Sequence, residues 1–193
     1  MYRITNMARK KAYREDLVIE KAMNLFWRNG YEGTSMQMLE KEMGINKFSI
    51  YSSFGSKNGV FLESIACYKK KLYTLVNELK ATQKGVAGIK EYFYNFIAFT
   101  RETEYGKGCL VTNTANEIGP DADQGIKDAL ASFTGEIKTI FASIIAQDGT
   151  KTPQEIAAKA DYLLIAMFGL SSATRMFTQE QLSHYIENIF KNQ

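Results

Sequence analysis

The side chains able to do acid–base, nucleophilic or metal chemistry are few and scattered. His184 is the only histidine in 193 residues, which removes every site needing two imidazoles, and its neighbours Gln181, Ser183 and Tyr185 suit a surface or interface position. Cys67 and Cys109 lack CxxC spacing and the many-cysteine framework of a disulfide scaffold, so neither a secreted scaffold nor a structural zinc site is expected. Cys109 follows Gly108 near the start of a short helical segment, where a thiolate is favoured; it reads either as an electrophile- or oxidant-sensing thiol or as a small buried residue. Asp121 and Asp123 sit at a turn and bias a helix start. The chain shows no nucleophile elbow, phosphate-binding glycine loop or metal-ligand spacing. The expectation is a protein that is not an enzyme and uses no metal or cofactor.

What remains is charge. The net charge is +3, yet residues 1–80 hold 14 of the 24 Lys+Arg against 8 of the 21 Asp+Glu, leaving the remainder acidic. Such an excess is either a solvated surface or the footprint of a polyanion. Arg3, Arg9, Lys10, Lys11 and Arg14 cluster in a polar opening stretch that reads equally as a disordered tail or a basic arm.

Helices must position these groups. Two prolines, at 120 and 153, leave long stretches free to be helical, and no useful strand alternation or repeat is present. The spacing predicts an all-α chain of about nine helices. Val18, Ala22, Leu25 and Phe26 make a first helix stopped at Gly30; Thr34-Ser35-Met36-Gln37 is a capping box for a second, stopped at Gly44. Asn46 caps a third, Lys47 to about Phe54, and Ser56 caps a long fourth to about Leu79. An aromatic helix with Phe93, Phe96, Ile97 and Phe99 follows, apolar on both sides and so surrounded by others. Then come a short segment from Cys109 to Ile118, the turn Gly119-Pro120-Asp121, a long helix to about Ala146, another from Pro153 to about Phe177, and a last one opened by the capping box Thr178–Gln181. The uncharged run Tyr162 to Thr174, bounded by Asp161 and Arg175, is too short to span a bilayer. No secretory signal is visible at the N-terminus, and Met7 offers a second start. A cytoplasmic protein with no membrane partner is expected.

The second helix, the turn Gly44-Ile45-Asn46 and the third helix have helix-turn-helix spacing. Residues 22–31 (Ala-Met-Asn-Leu-Phe-Trp-Arg-Asn-Gly-Tyr), Thr34-Ser35, and the run Gly44-Ile45-Asn46-Lys47-Phe48-Ser49-Ile50-Tyr51-Ser52-Ser53-Phe54-Gly55-Ser56-Lys57 resemble the N-terminal signature of TetR-type repressors. The likeness covers about the first third of the chain; beyond it, only helix count, length and Gly108-Cys109-Leu110 are similar. It implies a homodimer of two-domain helical subunits, with a DNA-binding head in residues 1–57 and a ligand-binding and dimerisation body in 58–193. Such a repressor sits on a palindromic operator of double-stranded DNA until a small-molecule effector releases it.

Carried over by position, the resemblance puts Thr34 and Ser35 on a phosphate through hydroxyls and backbone N–H groups, with Gln37 and Asn46 nearby. Lys47, Phe48, Ser49, Tyr51 and Ser52 fall on the recognition helix: Lys47 reaches a guanine edge or a phosphate, Tyr51 meets backbone, and Lys57 clamps a phosphate. Two residues depart from the pattern. Phe48 replaces a small residue and either touches a thymine methyl or packs against its own head. Glu40 replaces alanine beside the turn.

For the effector, Phe93, Phe96 and Phe99 with Cys109, Thr112, Asn113 and Asn116 offer apolar walls and a few polar groups, although such stripes also make plain core. For the dimer, Tyr162, Ile165, Ala166, Gly169, Ser172, Ala173 and Met176 form a row rich in small residues, joined by Leu182, Tyr185, Ile186 and Ile189; the alternative is that these rows are intradomain core. The same head would serve an activator, or a regulator that senses redox state through Cys109.

Overall fold

The computed structural model describes residues 13–101 and 106–191; the basic residues Arg3, Arg9, Lys10 and Lys11 lie outside them. Among the described residues there are nine α-helices and no strand: α1 (Glu15–Asn29), α2 (Met36–Met43), α3 (Lys47–Phe54), α4 (Lys57–Lys80), α5 (Val86–Thr100), α6 (Leu110–Glu117), α7 (Gln124–Ile145), α8 (Pro153–Ala173) and α9 (Gln179–Phe190), with a 3-10 turn (Ala146–Asp148) continuing α7. The all-α expectation and the helix count hold.

Caps set most boundaries. Ser56 accepts from the Gly59 N–H, Asp123 from Ile126, and Thr152 and Thr178 form reciprocal boxes with Glu155 and Gln181. At α2 the cap is Ser35, which accepts from the Met38 N–H; Thr34, one residue earlier, is fully buried and donates its hydroxyl to the Gly30 carbonyl at 2.7 Å. Helix α8 stops at Ala173 rather than Phe177. The Thr178 cap needs extended backbone, so residues 174–177 form a turn in which the Met176 and Phe177 N–H groups both donate to the Ala173 carbonyl.

Helix α4, the longest at 24 residues, packs against α1, α3, α5, α6 and α7, while α7 lies along α8. The apolar cluster runs without a break from α1 to α9. At the head end, Phe61 meets Phe26 and Tyr31 edge-on with centroids 4.9 and 4.8 Å apart; one turn further, Trp27 meets Tyr68 at 5.0 Å and Phe99 at 5.6 Å. The buried Trp27 indole N–H donates to the Gly108 carbonyl at 2.9 Å. Glu117, closing α6, accepts from the Tyr31 N–H at 2.7 Å, and a Cβ on Gly30 (φ 78°) would fall 1.8 Å from that carboxylate. Two separate contacts thus tie α6 to the end of α1.

Helices α4 and α7 are tied by Glu136, which accepts from Tyr73 at 2.8 Å and Lys80 at 3.2 Å, with Lys69 at 3.7 Å. Burial opposes ionisation of this carboxyl, but the hydrogen bonds from Tyr73 and Lys80 outweigh it and hold the group below the usual carboxylate range.

Two stretches, Gln124–Asp148 and Pro153–Ala173, are long and apolar enough to cross a membrane by length and composition, each with a mean hydropathy of 1.3. Both are longer than the uncharged run Tyr162 to Thr174 because they take in charged residues. Their apolar faces are spent elsewhere: Ile126, Ile137, Phe141 and Ile144 of α7 and Ala160, Leu163 and Leu170 of α8 are buried in the shared core, the pattern of core helices.

Replacing Trp27 by Phe keeps an aromatic ring but removes the indole N–H and part of its volume, leaving the Gly108 carbonyl buried without its donor. Urea denaturation should show a stability loss of about 1–3 kcal/mol with an unchanged m value. An unaltered midpoint would mean that the carbonyl finds another donor.

Candidate nucleic-acid interface

The head presents one face of α3. Lys47, Phe48, Tyr51 and Ser52 recur at helical spacing along it and are exposed, while Ile50 is fully buried and Ser49, Ser53 and Phe54 are partly covered. Gly44 adopts the left-handed conformation (φ 70°, ψ 25°) that the tight turn requires, and Asn46 caps α3 by accepting from the Ser49 N–H at 2.8 Å. Glu40, the residue that departs from the family pattern, accepts from the Lys47 N–H at 2.9 Å. Its carboxylate satisfies a free donor at the positive end of α3, so it braces the turn rather than disturbing it. On the inner side the Tyr13 hydroxyl pairs with Ser53 Oγ at 2.6 Å, tying the start of the described chain to α3.

Phe48 is 81% exposed, which discards the reading that it packs against its own head. Ser35 and Gln37 are exposed at the start of α2, Ser35 with its hydroxyl oxygen already accepting the capping bond. Thr34 corrects the expectation of a phosphate-binding hydroxyl: with its side chain turned inward, its hydroxyl satisfies Gly30. Lys57 is half-buried with its ammonium 4.3 Å from the centroid of the Tyr31 ring. The ring holds that cation at the first turn of α4.

In the body, one cavity of about 20 Å³ is lined by Leu72 of α4, Tyr92 and Phe96 of α5, Cys109 and Thr112, Phe133, Thr134 and Ile137 of α7, and Leu164, Met167, Phe168 and Ser171 of α8. Of the expected ligand residues, Phe96, Cys109 and Thr112 reach it. The rest are engaged elsewhere: Phe93 packs on Phe141 and Phe190, Phe99 on Trp27 and Tyr68, Asn113 donates to the Lys107 carbonyl, and Asn116 is exposed. The residues sequence reasoning missed lie mainly on α7 and α8, whose facing stripes read only as core. Room for about one water is far below a ligand-sized pocket.

Cys109 is buried, and desolvation pushes its thiol above the ordinary range against hydrogen bonds from its surroundings. The helix start that would favour a thiolate is therefore outweighed by burial. Cys67 is raised in the same way.

On α8, Tyr162, Ile165, Gly169 and Ser172 are exposed, with Ile165 at 71%, and Ala173 is half-covered; Met176, in the turn that follows, is 76% exposed. Tyr185 of α9 and Phe177 of the turn extend this face, and a groove of about 380 Å³ runs between Gly169, Ala173, Phe177, Gln181, Leu182 and Tyr185. Ala166, Leu182, Ile186 and Ile189 are instead buried within the chain itself, correcting their assignment to an outward face. The apolar stripe of α9 serves the core, and only its flank with Tyr185 looks out. Phe177 was missed because it was read as the end of a helix.

Residues 18–64 match the model of the bacterial regulatory proteins of the tetR family. The chain is 32% identical over 115 residues to the HTH-type transcriptional regulator YezE of Bacillus subtilis (strain 168), covering 59% of each protein. It is 29% identical over 119 residues to the HTH-type transcriptional repressor ComR of Escherichia coli (strain K12), covering 59% of this chain and 55% of that one. The chain therefore matches a little over half the length of these curated relatives. Among solved structures, a cysteine mutant of the TetR family transcriptional regulator CifR complexed with 26bp double-strand operator DNA superposes with a TM-score of 0.84 at 27% identity, covering 96% of this chain and 99% of that one.

Glu40→Ala removes the acceptor at the Lys47 N–H and should lower thermal stability by about 0.5–1 kcal/mol, the scale of a lost helix cap. A melting temperature equal to the parent's would show that Asn46 alone suffices to hold the turn.

Proposed function

We propose, starting from the fact that the chain is a TetR-family transcriptional regulator, that it represses transcription by binding a palindromic DNA operator as a homodimer and lets go when a small molecule enters its body. The observation that carries this is the outward face of α3, where Lys47, Phe48, Tyr51 and Ser52 stand clear of the core on a helix braced from behind by Asn46, Glu40 and Tyr13. Such a helix enters a major groove while α2 crosses the backbone and Ser35 meets a phosphate. The DNA-binding head is then residues 1–57 and the ligand and dimer body 58–193, acting in the cytoplasm where the DNA is.

The exposed apolar face of α8 and α9 supports a two-fold interface. Tyr162, Ile165, Met176, Phe177 and Tyr185 are five of the eight large hydrophobic residues left exposed among the described residues, and all five belong to α8, α9 or the turn between them. The remainder include Phe48 and Tyr51 on α3. Exposed residues such as Gly169 and Ser172 let a partner helix approach closely.

The effector would widen the small cavity between α5, α7 and α8. Its lining is mostly apolar, with the hydroxyls of Tyr92, Thr112, Thr134 and Ser171 as polar handles, which suits a compact, largely apolar molecule with one or two hydrogen-bonding groups. Cys109 and Thr112 border both the cavity and α6, whose Gly108 and Glu117 hold the end of α1. Widening the cavity displaces α6 and α4 and with them the heads, so that their spacing no longer fits half-sites about 34–36 Å apart. A ligand that stabilises the protein against heat but leaves DNA affinity unchanged would sink the release step.

Fluorescence anisotropy against the DNA upstream of the chain's own gene, with unrelated DNA as control, tests the reading. Selective binding should weaken by about 10³-fold or more between about 50 and 200 mM salt. Absence of any binding at low salt would overturn it. Ile165→Asp, placing a charge on the α8 face, should convert the dimer to a monomer in analytical ultracentrifugation and weaken operator binding by about 100-fold or more, since the energy of the second half-site is lost. A variant that remains dimeric would move the interface elsewhere.

A further inference from the structure

Phe48 is the most exposed of the large hydrophobic residues in the described chain, at 81%, and it stands on a face that the rest of the head leaves open. Lys47 leans toward Tyr51, its ammonium 5.8 Å from that ring, so the Phe48 ring is not covered by its cationic neighbour. Ile50, half a turn away, is fully buried and anchors α3 so that Phe48 points outward in a defined direction. The surroundings are basic and polar: Lys47, Ser49, Tyr51 and Ser52 could all hydrogen-bond to phosphates or base edges. Phe48 cannot. A helix designed only to grip a polyanion has no use for an exposed benzyl group in its first turn, where side chains reach deepest into a groove.

The floor of the major groove is a row of hydrogen-bond donors and acceptors with one apolar feature, the C5 methyl of thymine. Pressing a phenyl ring against any other base edge would dehydrate polar atoms without replacing their hydrogen bonds. Resting on the proposed DNA reading, we infer that Phe48 is a specificity-determining residue: its ring packs on the C5 methyl of a thymine in each half-site, so the protein selects thymine by that methyl rather than by a hydrogen bond.

The test uses the full-length chain and a duplex recovered by it from a random-sequence pool. Each thymine is replaced in turn by uracil, which removes the methyl and leaves every hydrogen-bonding group in place. At one position per half-site the change should weaken wild-type binding about fourfold, the equivalent of one buried methylene. Phe48→Ala, which leaves an exposed site and therefore a folded head, should bind the thymine duplex less tightly and be indifferent to uracil at that position. If no uracil substitution weakens the wild type, or if Phe48→Ala loses as much as the wild type on substitution, the assignment is overturned while sequence-selective DNA binding stands. If the pool yields no selected duplex, the repressor reading and this inference fall together.

Discussion

The hydrogen bond from the Trp27 indole to the Gly108 carbonyl joins two parts of the chain far apart in sequence, alongside the Glu117 carboxylate on the Tyr31 N–H. One end belongs to the helix that carries the helix-turn-helix, the other to the lead-in of α6. Its burial makes it exacting: neither partner has water to fall back on, so the indole and the backbone at Gly108 must stay in register. Gly108 meets that demand with a positive φ of 72°, in a place where a Cβ would run into Asn113. The rings of Tyr68 and Phe99 close around the indole, and the Cys109 N–H on the next residue donates to Ser171 of α8 at 2.8 Å. Head, α4, α5, α6 and α8 therefore converge on one junction, and displacement of any of them is felt there.

That junction also holds an unsatisfied group. The Tyr68 hydroxyl is buried without a hydrogen-bond partner of ordinary geometry, the Cys109 thiol being its polar neighbour. Burial raises both groups, the tyrosine well above its ordinary range, so both stay protonated and neutral. The energetic tension is of the kind that a polar ligand atom relieves, close to a cavity too small for anything but water as it stands. It also argues that Cys109 acts through packing and not as a poised thiolate.

Rigidity is unevenly spread. Helix α3 is short, eight residues, and too short to be stable alone, so its order comes from outside: the Asn46 and Glu40 caps at its N-terminus, Tyr13 on Ser53, and Ile50 in the core. This leaves the outward side chains of α3 free of structural duties, and Phe48 among them is exposed without a part in the core. Thr34 shows the opposite assignment, a polar side chain near the same surface wholly consumed by the Gly30 carbonyl.

The sequence by itself determined the elements and their order, because capping residues, glycine stops and apolar spacing act within a few residues of one another. The limits of α3, the box at Thr178 and the proline start of α8 were all legible, as was the head's likeness to a known family. The cap of α2 was misplaced by one residue because Thr34 and Ser35 are both good caps, and only the Gly30 carbonyl above Thr34 separates them. Tertiary structure alone decided which apolar face turns inward. The stripe of α9 and the row of α8 look alike as patterns, yet Leu182 and Ile186 are covered by the chain's own helices while Ile165 and Met176 are not. Likewise Phe93 and Phe96 share one stripe, but only Phe96 reaches the cavity, because which neighbour a side chain meets depends on helices far away in sequence, and no local spacing carries that information.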